Sequence, residues 1–173
     1  MVIINAGSSA GRDDYTVHAL REVGEVWVHG VAIKPGKPVI LAIVEGKPVI
    51  GLPGYPVSAY IAFENFVAPV LAMMGQRELR ENYEAKAVVS KRLVSSVKHK
   101  EYVRVKTGMV GDKMIAAPLA RGAGAAMSLV RADGFCVIDQ NCEGMDAGEE
   151  VTVSLYRNPS EIKNTVVVTG SHD

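Results

Sequence analysis

Three short stretches of this 173-residue chain combine glycine, lysine and proline in ways that suit the binding of an anion. The first, Gly7-Ser8-Ser9-Ala10-Gly11, follows the β-branched run Val2–Ile4 and precedes a predicted helix from about Asp13 to Val23, stopped by Gly24. A glycine loop between strand and helix turns backbone N–H groups and the positive end of the helix dipole toward whatever lies above it. Its spacing matches neither the Walker nor the dinucleotide pattern, so the loop taken alone reads first as a plain tight turn and second as a phosphate site. Asp13 and Asp14 open the helix, where a carboxylate can cap free N–H groups or hold a hard cation such as magnesium. The second stretch, Lys34-Pro35-Gly36-Lys37-Pro38, puts two ammonium groups on a loop stiffened by prolines, as a ligand site or as solvated surface. The third, Gly51-Leu52-Pro53-Gly54-Tyr55-Pro56-Val57-Ser58, again joins a strand to a helix start, with a glycine that lets backbone approach a ligand. Three such loops on one edge of a sheet would favour a common, phosphate-rich ligand.

The elements that must position these loops follow from periodicity. Val26–Ile33 and Val39–Val44 read as strands, the second apolar without alternation, as expected of a strand covered on both faces. Glu45-Gly46-Lys47-Pro48 turns the chain into Val49–Leu52. A helix follows with Tyr60, Phe63, Val67, Val70, Leu71 and Met74 on one side, kinked at Pro69 and ended by Gly75. Trp27 is assigned to packing, and His18 and His29 receive no chemistry. Residues 1–76 thus form a partial three-layer α/β domain. Residues 77–156 change character to alternating β-branched segments, Ala85–Leu93, Tyr102–Val110, Met114–Ala117, Phe135–Ile138 and Val151–Leu155, which predict a small all-β barrel. Gly122–Ala132 is expected as a turn and short helix, and Lys98-His99-Lys100 as a solvated hairpin loop. Residues 157–173 are read as a linker, Asn158-Pro159-Ser160, and the first strand, Thr165–Thr169, of a further domain cut short.

Composition removes several classes. Lysine plus arginine and aspartate plus glutamate are 19 each, so no net basic field exists to hold nucleic acid or an anionic membrane. Apolar runs such as Val39–Val44 stop far short of the roughly 20 residues that span a bilayer, and no signal peptide opens the chain. A cytoplasmic protein is expected. Cys136 and Cys142 are too few and wrongly spaced for a zinc knuckle or a redox pair, and are read as packing thiols.

The three loops together, Ile3-Ile4-Asn5-Ala6-Gly7-Ser8-Ser9-Ala10-Gly11 with Asp14-Tyr15, Val31-Ala32-Ile33-Lys34-Pro35-Gly36-Lys37-Pro38 and Gly51–Ala59, resemble the successive signatures of the molybdopterin molybdenumtransferase family, of the MoeA and gephyrin E-domain type. Tyr102-Val103-Arg104, Pro118-Leu119, Arg121-Gly122-Ala123-Gly124 and Gly148-Glu149-Glu150-Val151 resemble the family's C-terminal barrel. The resemblance covers about residues 2 to 156. It implies the C-terminal half of an enzyme of molybdenum cofactor biosynthesis that inserts molybdate into adenylylated molybdopterin, with a divalent cation such as Mg2+, and releases AMP. It also implies a homodimer when full length. Asp14 matches the family's acid near metal and molybdate and Lys34 its motif lysine, as the catalytic pair. Gly7, Ser8, Ser9, Gly11, Lys37, Pro53, Gly54, Pro56 and Ser58 match the substrate-binding loops, and Arg104 a barrel arginine that lines the cleft. Ala6, Gly30, Tyr55 and Ala123 depart from the usual residues. Such variants are found fused to a periplasmic-binding-like domain, which Asn164–Ser171 resembles at its opening. A noncatalytic molybdopterin-binding relative and a gephyrin-like scaffold are the alternatives.

Overall fold

The computed structural model describes residues 1–5, 7, 15–79, 82–121 and 126–165, which fall into two compact units, one built on Met1–Arg80 and one on Glu81–Arg121 with Met127 onward. In the first unit the β-branched and aliphatic runs become strands Val2–Asn5 (β1), Glu25–His29 (β2), the two-residue Ile33–Lys34 (β3), Ile40–Val44 (β4) and Lys47–Leu52 (β5). Four of them form a sheet in the order β1-β5-β4-β2, with β1 parallel to β5 and the other pairs antiparallel. The β4–β5 hairpin turns through Glu45 and Gly46, both at positive φ, as a two-residue hairpin loop requires.

Helix α1, Thr16–Val23, buries Val17 and Leu20 against Ile40, Ala42 and Val49 on one face of the sheet. The opposite face carries a long helix in three parts: α2, Pro56–Ala62; a π-helical turn, Phe63–Val67; and α3, Ala68–Met74. Its Ala62 and Val67 pack with Val39, Ile50 and Leu52. Residues alternating along β4 therefore feed two separate cores, which is why that strand is apolar throughout. Each large aliphatic side chain so buried stabilises by roughly 1.5 to 3 kcal/mol.

Several expectations are corrected here. The strand expected over Val26–Ile33 breaks at Gly30, whose φ of 94° is a conformation side chains rarely adopt. Trp27 is not packed: it is 64% exposed, beside an irregularity in the β2–β4 register. Described helix begins at Thr16, with residues 13 and 14 outside the described part. The perturbation assigned to Pro69 is taken up just before it, where Ala68 N–H reaches back five residues to the Phe63 carbonyl. Leu71 and Met74, expected on the buried side of this helix, are 45% and 55% exposed. Pro56–Met74, at 19 residues, is also long and apolar enough by length and composition to cross a membrane, contrary to the reading of short apolar runs only; here Val57, Ile61, Ala62 and Val67 are buried in the first unit.

The second unit is a five-stranded closed barrel. Strands Tyr83–Val89 (β6), Lys100–Val110 (β8), Lys113–Pro118 (β9), Gly134–Ile138 (β10) and Glu150–Leu155 (β12) pair in the order β10-β12-β6-β9-β8, and β8 pairs with β10 to close the ring. Only β6 and β9 run parallel. Leu93–Val94 (β7) and Gly144–Met145 (β11) form a separate two-stranded ribbon, so the strand expected over Ala85–Leu93 is in fact two elements. Ala87, Val89, Val103, Val105, Cys136, Ile138, Val151, Val153 and Leu155 fill the interior. The short helix expected within Gly122–Ala132 is α4, Ala126–Arg131; residues 122–125 lie outside the described part. Asn158-Pro159-Ser160 is no linker. Asn158 caps helix α5, Pro159–Ile162, by accepting from Ser160 N–H at 2.9 Å, and Ile162 is fully buried in the barrel core. The expected strand Thr165–Thr169 falls, apart from Thr165, outside the described residues.

Candidate functional site

Backbone register fixes where the loops of the first unit emerge. Asn5 lies beside Leu52 in the parallel β1–β5 pair, and Ile40 lies beside Gly51 in the antiparallel β4–β5 pair. The loop leaving β1, the loop leaving β5 and the loop entering β4 therefore share one edge of the sheet. Gly7, at φ 72°, starts the first; Pro53, Gly54 and Pro56 form the second; Lys34 to Pro38 form the third. Ser8, Ser9, Gly11 and Asp14, also expected in this site, lie outside the described residues.

The lysine loop is held by its own backbone. Val31 N–H donates to the Lys37 carbonyl at 2.8 Å, Val39 N–H to the same oxygen at 2.9 Å, and Gly30 N–H to the Val39 carbonyl at 2.8 Å. These bonds close the loop at its base and leave Lys34 and Lys37 exposed. The Lys34–Pro35 peptide is cis. Gly36, at φ 110°, is buried where any Cβ would come within 2.9 Å of Ile33 Cδ1 and 3.4 Å of the Ser58 carbonyl. This glycine seats the lysine loop against the first turn of α2. Its need was legible only as a Gly between two prolines; its contact with Ser58 was not.

Helix α2 begins with Pro56 at its first position, where a missing N–H costs nothing. Its cap residue is Tyr55, whose carbonyl accepts from Ala59 N–H at 2.8 Å and whose side chain makes no capping bond. Pro56 brings no N–H, and Val57 and Ser58, which carry the other first-turn N–H groups, are buried, so this helix start offers an anion the positive end of the helix dipole and not open donors. Pro53 and Ser58 are buried beneath the loop; Gly54, Tyr55 and Pro56 are exposed. Two exposed ammonium groups beside a helix start make an anion site, not a cation site. Among the described residues no group of three or more His, Cys, Asp or Glu side chains could hold a metal ion, so those residues do not by themselves fit magnesium.

Arg104 belongs to the second unit. It sits on β8, 4% exposed, with Nη2 donating to the Ala120 carbonyl at 3.0 Å. Burial lowers its pKa, with Tyr156 acting weakly the other way. The same unit holds an ionic hub that periodicity could not reveal. Asp133, 4% exposed, accepts from Thr107 N–H at 2.8 Å, from Lys106 Nζ at 2.9 Å and from Arg157 Nη2 at 2.8 Å. Burial alone would raise this carboxyl; the Thr107 backbone bond and the two cations outweigh it and hold the group below the usual carboxylate range. Cys136 is fully buried, and desolvation pushes its thiol up to about 11. Such a thiol has no chemistry near neutral pH.

Comparison with known proteins matches this architecture. Residues 1–73 match the family model described as "Probable molybdopterin binding domain", and residues 86–156 match the MoeA C-terminal region, domain IV. A solved MoeA protein of molybdopterin biosynthesis from Pyrococcus horikoshii superposes with a TM-score of 0.72 at 38% identity, over 91% of this chain and 37% of that one. A relative in Methanocaldococcus jannaschii named for molybdopterin biosynthesis is 35% identical over 90% of this chain and 36% of its own length. The molybdopterin molybdenumtransferase of Haemophilus influenzae is 30% identical over 91% of this chain and 40% of its own. The chain thus spans well under half the length of these relatives. With residues 1–73 matching a molybdopterin-binding domain and residues 86–156 a MoeA domain IV, on folds that agree with both, the chain carries two successive domains of the kind found in MoeA-type proteins of molybdopterin biosynthesis.

Proposed function

We propose that this chain serves molybdenum cofactor biosynthesis as the phosphate-holding part of an enzyme that inserts molybdate into adenylylated molybdopterin and releases AMP, working in the cytoplasm. The observation that carries this reading is the meeting of three loops on one sheet edge, with the Lys34–Pro38 loop seated on the first turn of α2 through Gly36. Lys34 and Lys37 neutralise phosphate oxygens beside the positive end of the α2 dipole. That fixes the phosphate bridge of the substrate while molybdate, the second substrate, meets the dithiolene sulfurs. Asp14 is the proposed acid beside molybdate and Mg2+, and Ser8, Ser9 and Gly11 extend the anion loop. Arg104 is proposed to complete the site in a homodimer of the full-length protein.

The experiment is AMP release from adenylylated molybdopterin on addition of molybdate and Mg2+, measured with the full-length protein. Asp14→Asn keeps size and capping ability but removes the charge. We expect turnover to fall at least tenfold with substrate binding retained. Wild-type turnover in that variant would take Asp14 out of the catalytic machinery, and absence of AMP release from the parent protein would favour the noncatalytic reading.

A further inference from the structure

We propose that Tyr55 is a specificity residue, a stacking platform for the fused heteroaromatic ring of a ligand whose phosphate sits on the lysine loop; this rests on the phosphate reading above. The starting point is a local rule that the fold breaks. Helix caps favour Ser, Thr, Asp and Asn, whose side-chain oxygens accept from free N–H groups, and replacing such a cap destabilises the helix. Tyr55 caps α2 and makes no side-chain capping bond. Packing does not explain the residue either, because Tyr55 is 65% exposed among neighbours, Gly54 and Pro56, that are exposed as well. A large apolar ring in water at a position where a small polar residue would stabilise the helix is a local inconsistency of the kind found at functional sites.

Tyr55 follows β5 at the edge where the loops meet, and it is tied to the lysine loop, since Gly36 contacts Ser58 one helical turn away from it. A phosphate held by Lys34 and Lys37 beside the start of α2 leaves the remainder of the ligand to be recognised. An exposed ring beside that phosphate offers a π-face to a purine or a pterin, and neither ring needs a hydrogen-bonding partner to stack.

The test uses calorimetric titration of this chain with pyrophosphate, ribose 5-phosphate, AMP and neopterin phosphate. At least one of the two ring-bearing phosphates is expected to bind about tenfold tighter than ribose 5-phosphate, the range of one base–aromatic stack. Which of them does so tells a purine from a pterin platform. Tyr55→Ala should abolish that gap while pyrophosphate affinity stays within about twofold, and Tyr55→Phe should preserve the gap because the hydroxyl is not required. Tyr55→Asn restores a cap, so a lost gap in a variant at least as stable as the parent excludes misfolding as the cause. Phosphate binding with no preference for a ring, or a preference that survives Tyr55→Ala, overturns the stacking role and leaves the phosphate site standing. Failure of all four compounds to bind overturns the phosphate site itself.

Discussion

A lysine side chain is the least committed of the groups that hold phosphate, and what converts Lys34 from a solvated cation into a ligand is the loop beneath it. The Lys37 carbonyl accepts two backbone bonds at the base of that loop, and Gly36 fits against Ser58. The backbone that carries Lys34 and Lys37 is therefore ordered before a ligand binds, and only their side chains remain to be fixed. Lys34→Ala should weaken pyrophosphate or AMP binding by roughly 1 to 3 kcal/mol, the range of a hydrogen bond to a charged group. Equal affinity of parent and variant by calorimetry would take Lys34 out of the site. The lysines, prolines and glycines were legible because few folds need that combination. Tyr55 was not, because a single tyrosine in a loop carries no signal until its exposure and its place at a helix start are seen.

Elements were legible in proportion to how locally they are determined. Strand β4 announced itself by six apolar residues in a row, Val39–Val44, and the barrel strands by alternation, since every second side chain of Val103, Val105 or Val151, Val153, Leu155 faces one core. The break at Gly30 is hidden because β-branched and aromatic residues flank it on both sides, and a lone glycine in such a run suits a bulge as well as a strand end; its positive φ is what ends the strand. Helix α5 was missed for the opposite reason: Asn-Pro-Ser suits a turn as well as a capped helix start, and one turn of helix offers no period to read. Its identity rests on Ile162, buried where the barrel needs an apolar plug. Ile162→Ala should destabilise the second unit by about 2 to 4 kcal/mol, within the range for a truncated core isoleucine, seen as a lower urea midpoint for that unit. A change below about 0.5 kcal/mol would mean that α5 is an appendage and not part of the core.

For the whole molecule, two units of different construction respond to solvent differently. The barrel contains Asp133, whose carboxyl is held below the usual range by Thr107, Lys106 and Arg157 against the cost of burial. A group with a depressed folded pKa adds stability above its unfolded pKa of about 3.9, and that stability is lost as pH falls through the folded value. The second unit should therefore weaken with acid below about pH 4, and Asp133→Asn should both cost about 2 to 3 kcal/mol near neutrality and flatten the acid limb of the stability profile. An unaltered acid limb in the variant would assign the sensitivity to other carboxylates. The order of strands also bears on how the chain is made. In the barrel the last strand, β12, stands between β10 and β6 and joins Leu155 to Tyr83, with Ile162 still to follow. During synthesis at about 5 to 20 residues per second, β6 must wait some seconds with an open edge before that neighbour exists. Nascent chains of this protein thus pass through an interval in which barrel strands stand unpaired, the period of greatest exposure to aggregation and to chaperones.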